Sequence, residues 1–124
     1  LCLMEVLLDS SFIVSCLKKK IDFLTQLEEQ GFTVKIPHEV FEELRDLRLK
    51  SSRVERESID IALALFESRG VKKMKLGKRR VDEGLIEKGK QGIYIATLDR
   101  EIKRSIPNVV VLFDAEKRVG PEKR

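Results

Sequence analysis

Four acidic residues stand where their surroundings could put them to chemical use: Asp9, Glu43, Asp82 and Asp99. The apolar run Val6-Leu7-Leu8 ends in Asp9, then Ser10-Ser11 leads into helical spacing, which predicts a buried strand, a tight turn and a helix start. Asp99 repeats that logic after Ile93-Tyr94-Ile95-Ala96-Thr97-Leu98. A carboxylate at the carboxyl end of a central strand lies where open α/β sheets bind ligands. Glu43 belongs to a helix whose apolar face carries Val40, Phe41, Leu44 and Leu47. At about 100° per residue Glu43 falls roughly 40° from Leu47 and Glu42 points the other way. Asp82 falls between Leu85 and Ile86 on the apolar face of a later helix, with Glu83 at the margin as a lesser candidate. Four carboxylates gathered together raise one another's pKa unless cations separate them. An all-oxygen donor set suits Mg²⁺ or Mn²⁺. Such an ion can make hydroxide from water and steady the leaving oxygen of a phosphodiester.

Each acid also has a plainer role open to it. Asp9 and Asp99 can cap the helices that follow them. Glu43 can be a snorkelling edge residue. Asp82 can pair with Arg79, Arg80 or a nearby lysine in a buried salt bridge. Among the other acids, Asp60 sits in a segment apolar almost all round and is expected to be buried and paired. Asp22, Asp46 and Asp114 read as cap, surface and loop residues.

The elements that must position these acids alternate. Strands are predicted over residues 5–8, 32–36, 71–76, 93–96 and 109–113. Helical segments are predicted over 11–19, from Asp22 to Gly31, from Pro37 to Lys50, over 53–68, over 80–89 with Gly89 as its stop, and over 100–105. Pro37 suits a first helical position, and Gly31 and Gly70 suit positions just past a helix. The lysines in 71–76 mark an edge strand. Strands alternating with helices argue for an α/β chain with a parallel sheet between helical layers. The domain is expected over residues 1–115, followed by a loose polar tail over 116–124.

Composition narrows the field. The 124 residues make one domain, 42% hydrophobic and 37% charged, with no run of membrane-span length and no signal-peptide pattern. The expectation is a cytoplasmic chain. The single His38 excludes a His-rich zinc site, and Cys2 and Cys16 lack zinc-finger spacing. Both thiols read as small buried hydrophobes rather than a disulfide. Abundant Lys, Arg and Glu with no Trp resembles the composition of thermophile proteins. The net charge of +4 permits an anionic partner without requiring one.

The four motifs in order resemble a known family. Leu-Leu-Asp9-Ser-Ser-Phe-Ile, Ile-Pro-His-Glu-Val-Phe-Glu-Glu43-Leu, Val-Asp82-Glu-Gly-Leu-Ile and Ile-Ala-Thr97-Leu-Asp99-Arg-Glu-Ile-Lys-Arg look like a PIN-domain ribonuclease. The similarity spans about residues 5 to 113. It is greatest to small archaeal single-domain PIN proteins, which are similar both to VapC toxins and to PIN nucleases that process ribosomal RNA. The resemblance implies a three-layer α/β/α sandwich with a five-stranded parallel sheet of order 3-2-1-4-5, in which the first and fourth strands bring Asp9 and Asp99 together. It also implies Mg²⁺- or Mn²⁺-dependent cleavage of single-stranded RNA. Asp9, Glu43, Asp82 and Asp99 match the acidic quartet, Thr97 the hydroxyl residue near the last acid, and Ser10 the small residue after the first. Where this chain has Ser11 and Leu98, the family often has Asn. An antitoxin protein and a homodimer are partners the family implies.

Two basic clusters adjoin the acids. Lys72, Lys73, Lys75, Lys78, Arg79 and Arg80 lead into Asp82, and Arg100, Lys103 and Arg104 follow Asp99. Lys78, Arg79, Arg80, Arg100, Lys103 and Arg104 are the expected RNA contacts, through phosphate neutralisation rather than base stacking. Three rival settings remain: a toxin nuclease, an rRNA-processing nuclease, and a PIN-like module that binds RNA or protein without cutting. A haloacid-dehalogenase-type phosphatase would need a second acid where Ser11 stands, and no Gly-rich phosphate loop is present.

Overall fold

A computed structural model describes residues 4–77 and 80–123. The chain alternates as β1 (Met4–Leu8), α1 (Ser10–Lys18), α2 (Phe23–Glu29), β2 (Phe32–Pro37), α3 (His38–Lys50), α4 (Arg53–Ser68), β3 (Lys72–Met74), α5 (Val81–Lys90), β4 (Tyr94–Ala96), α6 (Arg100–Ser105), β5 (Val109–Phe113) and β6 (Arg118–Pro121). The strands form one mixed sheet of order β3-β2-β1-β4-β5-β6, parallel except for the antiparallel β5–β6 pair.

Alternation along the strands splits the core in two. Val6, Leu8, Ala96 and Val110 face a cluster built with α1, α2, α3 and α4, whereas Leu7, Ile95, Val109 and Val111 face one built with α5 and α6. Central parallel strands covered on both faces need apolar residues throughout, which is why Val6, Leu7 and Leu8 are all fully buried. Among the described residues no helix is long and apolar enough to cross a membrane.

The sheet differs from expectation at its two edges. It has six strands rather than five, because residues 118–121, expected in a loose tail, pair with β5. Only Val119 in this stretch is a fully buried hydrophobe. Beyond that side chain the strand is held by its ladder with β5 and by polar contacts to the Val119 backbone: the Gln30 side-chain amide donates to the Val119 carbonyl at 2.9 Å, and the Val119 N–H donates to Gln26 Oε1 at 2.9 Å. Tertiary hydrogen bonds of this kind leave no hydrophobic period in sequence. At the other edge β3 has three residues instead of the expected six. Pro37 ends β2 and flanks α3 rather than opening it. Gly89 does not stop α5 but lies buried within it, because a Cβ there would stand 2.4 Å from Ile106 Cγ2.

Candidate active site

β1 and β4 lie side by side, with Leu8 in register with Ala96. The next residues, Asp9 and Thr97, therefore emerge together at the carboxyl ends of the two central strands, where the sheet order reverses. The Asp9 N–H extends the ladder by donating to the Ala96 carbonyl at 2.9 Å. A cleft of about 630 Å³ opens there, and Asp9, Glu43, Asp82 and Asp99 all line it, together with Ser10, Ser11 and Arg80.

Asp9 is 8% exposed and caps α1. Its Oδ1 accepts from the Ser10 N–H at 2.8 Å, and its Oδ2 accepts from the hydroxyls of Thr97 at 2.7 Å and Ser11 at 3.3 Å. Burial pushes the Asp9 carboxyl up. The three hydrogen bonds pull it back, the charge of Asp99 pushes it further up, and the net result lies above its ordinary value. Thr97 is fully buried behind Asp9 rather than in the cleft. Its hydroxyl also accepts from the Asp99 N–H at 3.1 Å, so one side chain ties the two acids together.

Asp99 caps α6, with Oδ1 accepting from the N–H groups of Glu101 at 2.8 Å and Ile102 at 3.4 Å. For both aspartates the capping role and a place on the cleft coexist. Glu43 reaches the cleft from α3. Partial burial raises its pKa above the ordinary value and the Asp9 charge adds to this, while a hydrogen bond with the Ser10 side chain opposes them.

Asp82 departs from expectation. It is half-buried in the first turn of α5, not enclosed in an apolar stripe, because the helix start opens onto the cleft. Its pairing partner is Arg80, at 3.2 Å, and that ion pair is solvated rather than buried. Glu83 is exposed and lies off the cleft. Asp60 is paired as expected, with Arg48, but is only half-buried and stands away from the cleft. Asp22 caps α2, and Asp114 pairs with Lys19 at 2.7 Å.

Of the expected RNA contacts, Lys78 and Arg79 lie outside the described residues. Arg80 is on the cleft, whereas Arg100, Lys103 and Arg104 sit on α6 and do not line it. Lys73 stacks over the Phe41 ring at 4.4 Å. Sequence reasoning missed Glu39, whose carboxylate accepts from the Leu76 N–H. The available signal was its spacing four residues ahead of Glu43, which puts both on one helix face.

Among the described residues the donor set is all oxygen, with no His or Cys on the cleft. Among the described residues, only Asp82 of the four acids is drawn into an ion pair. Asp9 and Glu43 repel each other and both hold protons above their usual range. Those features fit a hard divalent cation, although among the described residues no three side chains are close enough as placed to clasp an ion. The chain is thus an α/β protein with an acidic cleft at the carboxyl end of its central parallel strands. Comparison with protein-family models and with curated proteins gives no match.

Proposed function

We propose that this chain is a Mg²⁺- or Mn²⁺-dependent endoribonuclease of the PIN type that cuts single-stranded RNA. The observation that supports it is the shared cleft of Asp9, Glu43, Asp82 and Asp99 at the β1–β4 switch point. In this reading Asp9, Asp82 and Asp99 hold the ion, and Glu43 holds it or orients the attacking water. A bound divalent ion supplies Lewis acidity at the scissile phosphate. Thr97 fixes the Asp9 rotamer, and Ser10 orients Glu43. Arg80, the cation on the cleft among the described residues, neutralises an incoming phosphate. The cellular role we propose is the toxin of a VapBC-type pair, with processing of ribosomal RNA as the alternative. Growth arrest on expression, relieved by a protein partner, separates them.

End-labelled single-stranded RNA incubated with Mn²⁺, Mg²⁺ or EDTA tests the chemistry. Internal cuts that need the ion and vanish in Asp9→Asn support the proposal. Cleavage that persists in EDTA overturns it. One observation favours a second reading, an RNA-binding module that does not cut: Arg80 already occupies Asp82 as its counter-ion. RNA bound but never cut under any ion would establish that reading instead.

A further inference from the structure

Asp82 reaches the cleft on α5, and the chain just before α5 is held by a residue outside the acidic quartet. Glu39 lies in the first turn of α3, one turn ahead of Glu43. Both of its carboxylate oxygens accept from the Leu76 backbone N–H, at 3.2 Å each, and the neighbouring Gly77 N–H also favours the charged carboxylate. Burial pushes the Glu39 carboxyl up, but its own backbone N–H, then those of Leu76 and Gly77, and the charge of His38 outweigh it and hold the group below its ordinary value. The ionised form is thus the one the fold keeps.

Leu76 itself is 6% exposed and belongs to the core cluster beneath α5 and α6. It meets α5 at Gly84, two residues beyond Asp82. A Cβ at Gly84 would stand 2.7 Å from Leu76 Cβ, so the two backbones approach as closely as the side chain allows. From α3 to Leu76 to α5 there is one hydrogen-bonded joint and one close-packed joint. Packed interiors transmit such displacements because they have little free volume.

We infer that Glu39 is a positioning residue: it clamps Leu76 to α3 and so sets how far the Asp82 helix stands from the Glu43 helix. A carboxylate suits this task because both of its oxygens share the Leu76 N–H and carry the charge, whereas a glutamine carboxamide offers one neutral oxygen. The inference takes the cleft as the working site and so rests on the proposed function, but its principal readout needs neither metal nor RNA.

The test is amide hydrogen exchange on the metal-free full chain, with Glu39→Gln and Glu39→Ala. Loss of a charge-assisted bond should cost the Leu76 amide about tenfold in protection. The α5 amides from Gly84 onward, the first with backbone acceptors, should follow, while α4 and the β4–β5 ladder keep theirs. Glu39→Gln should give a smaller effect of the same pattern, and it serves where Glu39→Ala fails to fold. A second readout is Mn²⁺ affinity by electron paramagnetic resonance, which should fall several-fold in Glu39→Ala. Gly84→Ala, which displaces Leu76 from the opposite side and alters no acid, should lower it likewise. Unchanged protection at Leu76, or an even loss across the whole chain, overturns the clamp. Selective loosening with unchanged Mn²⁺ affinity overturns the positioning role. Selective loosening of Leu76 and α5 in a protein that binds no Mn²⁺ at all upholds the clamp and brings down the metal-dependent reading instead.

Discussion

Asp9→Asn removes one charge from the cleft while keeping nearly every contact. An asparagine Oδ1 can still accept from the Ser10 N–H, and its amide can donate to the Thr97 hydroxyl oxygen, which already accepts from the Asp99 N–H. Three charge-assisted contacts become neutral ones. At about 0.5–1 kcal/mol each, that loss is roughly 2 kcal/mol. Against it stands the cost of holding a carboxylate at 8% exposure without a cation, beside Asp99. Desolvating such a charge costs several kcal/mol even after relaxation. The raised pKa of Asp9 shows that desolvation and repulsion win over the hydrogen bonds.

The metal-free variant should therefore be the more stable protein, by about 1 kcal/mol, or roughly 4 °C in melting temperature for a chain of this size. Asp9→Ala should do the opposite, because it removes the α1 cap and orphans the buried Thr97 hydroxyl, at about 2–3 kcal/mol. The sign with pH follows from linkage. A folded-state pKa above the unfolded one means that the folded chain binds the proton more tightly. Wild-type stability therefore rises relative to the variant as pH falls through that raised pKa, and the advantage of Asn disappears there. Thermal melts in EDTA at stepped pH measure all of this. With saturating Mn²⁺ the order should reverse, since only the wild type gains binding energy. If Asn destabilises as much as Ala at neutral pH, Asp9 is a structural cap and the charge argument fails.

Three further outcomes are expected. Mn²⁺ affinity should decline with falling pH earlier than at an ordinary carboxylate site, because Asp9 and Glu43 both take up protons above their usual range; calorimetric titration at stepped pH checks this, and in Glu43→Gln the decline should be shallower. Thr97→Val should cost about 1–2 kcal/mol in a denaturant melt by leaving the Asp99 N–H unpaired, and should raise the Asp9 pKa further by removing a hydrogen bond to its charged form. Gly89→Ala should destabilise by about 1–3 kcal/mol through overpacking against Ile106, with no change in Mn²⁺ affinity per folded molecule.

Periodicity carried the parts of the fold that pack through apolar faces. The helix over 53–68, the short helix over 100–105 and the strand over 109–113 stand where hydrophobic spacing and caps put them. Apolar runs ending in Asp9 and Asp99 made two strand ends legible, but that these two strands are neighbours came only from the strand order the resemblance implied, and β1 does pair with β4. What the spacing could not carry was polar or steric in origin. Strand β6 is secured by glutamine side chains some ninety positions away in sequence. Gly89 looked like a stop because glycine usually ends helices, whereas here the approach of Ile106 requires it. Asp82 looked enclosed because a helical wheel assigns a face but not a depth. The first turn of α5 shares its apolar phase with Leu85 yet opens onto solvent.

Capping, and the ligation we propose, are two uses of one geometry at this cleft. An N-cap aspartate is held in one rotamer by backbone N–H groups, and the partial positive charge of the helix terminus favours its ionised form. Asp9 at α1 and Asp99 at α6 are fixed in this way from opposite sides of the β1–β4 seam, and Thr97 bonds to both. Two rigid carboxylates are thus built without any lysine or arginine spent on them among the described residues. The helix termini do not fully compensate, however, since the Asp9 pKa still lies above its ordinary value. The one described cation on the cleft, Arg80, is taken up by Asp82. The unbalanced charge therefore sits on the acids that the backbone holds most firmly. A cleft arranged only for stability would have placed the guanidinium on Asp9, where desolvation is greatest, and left the half-solvated Asp82 to water.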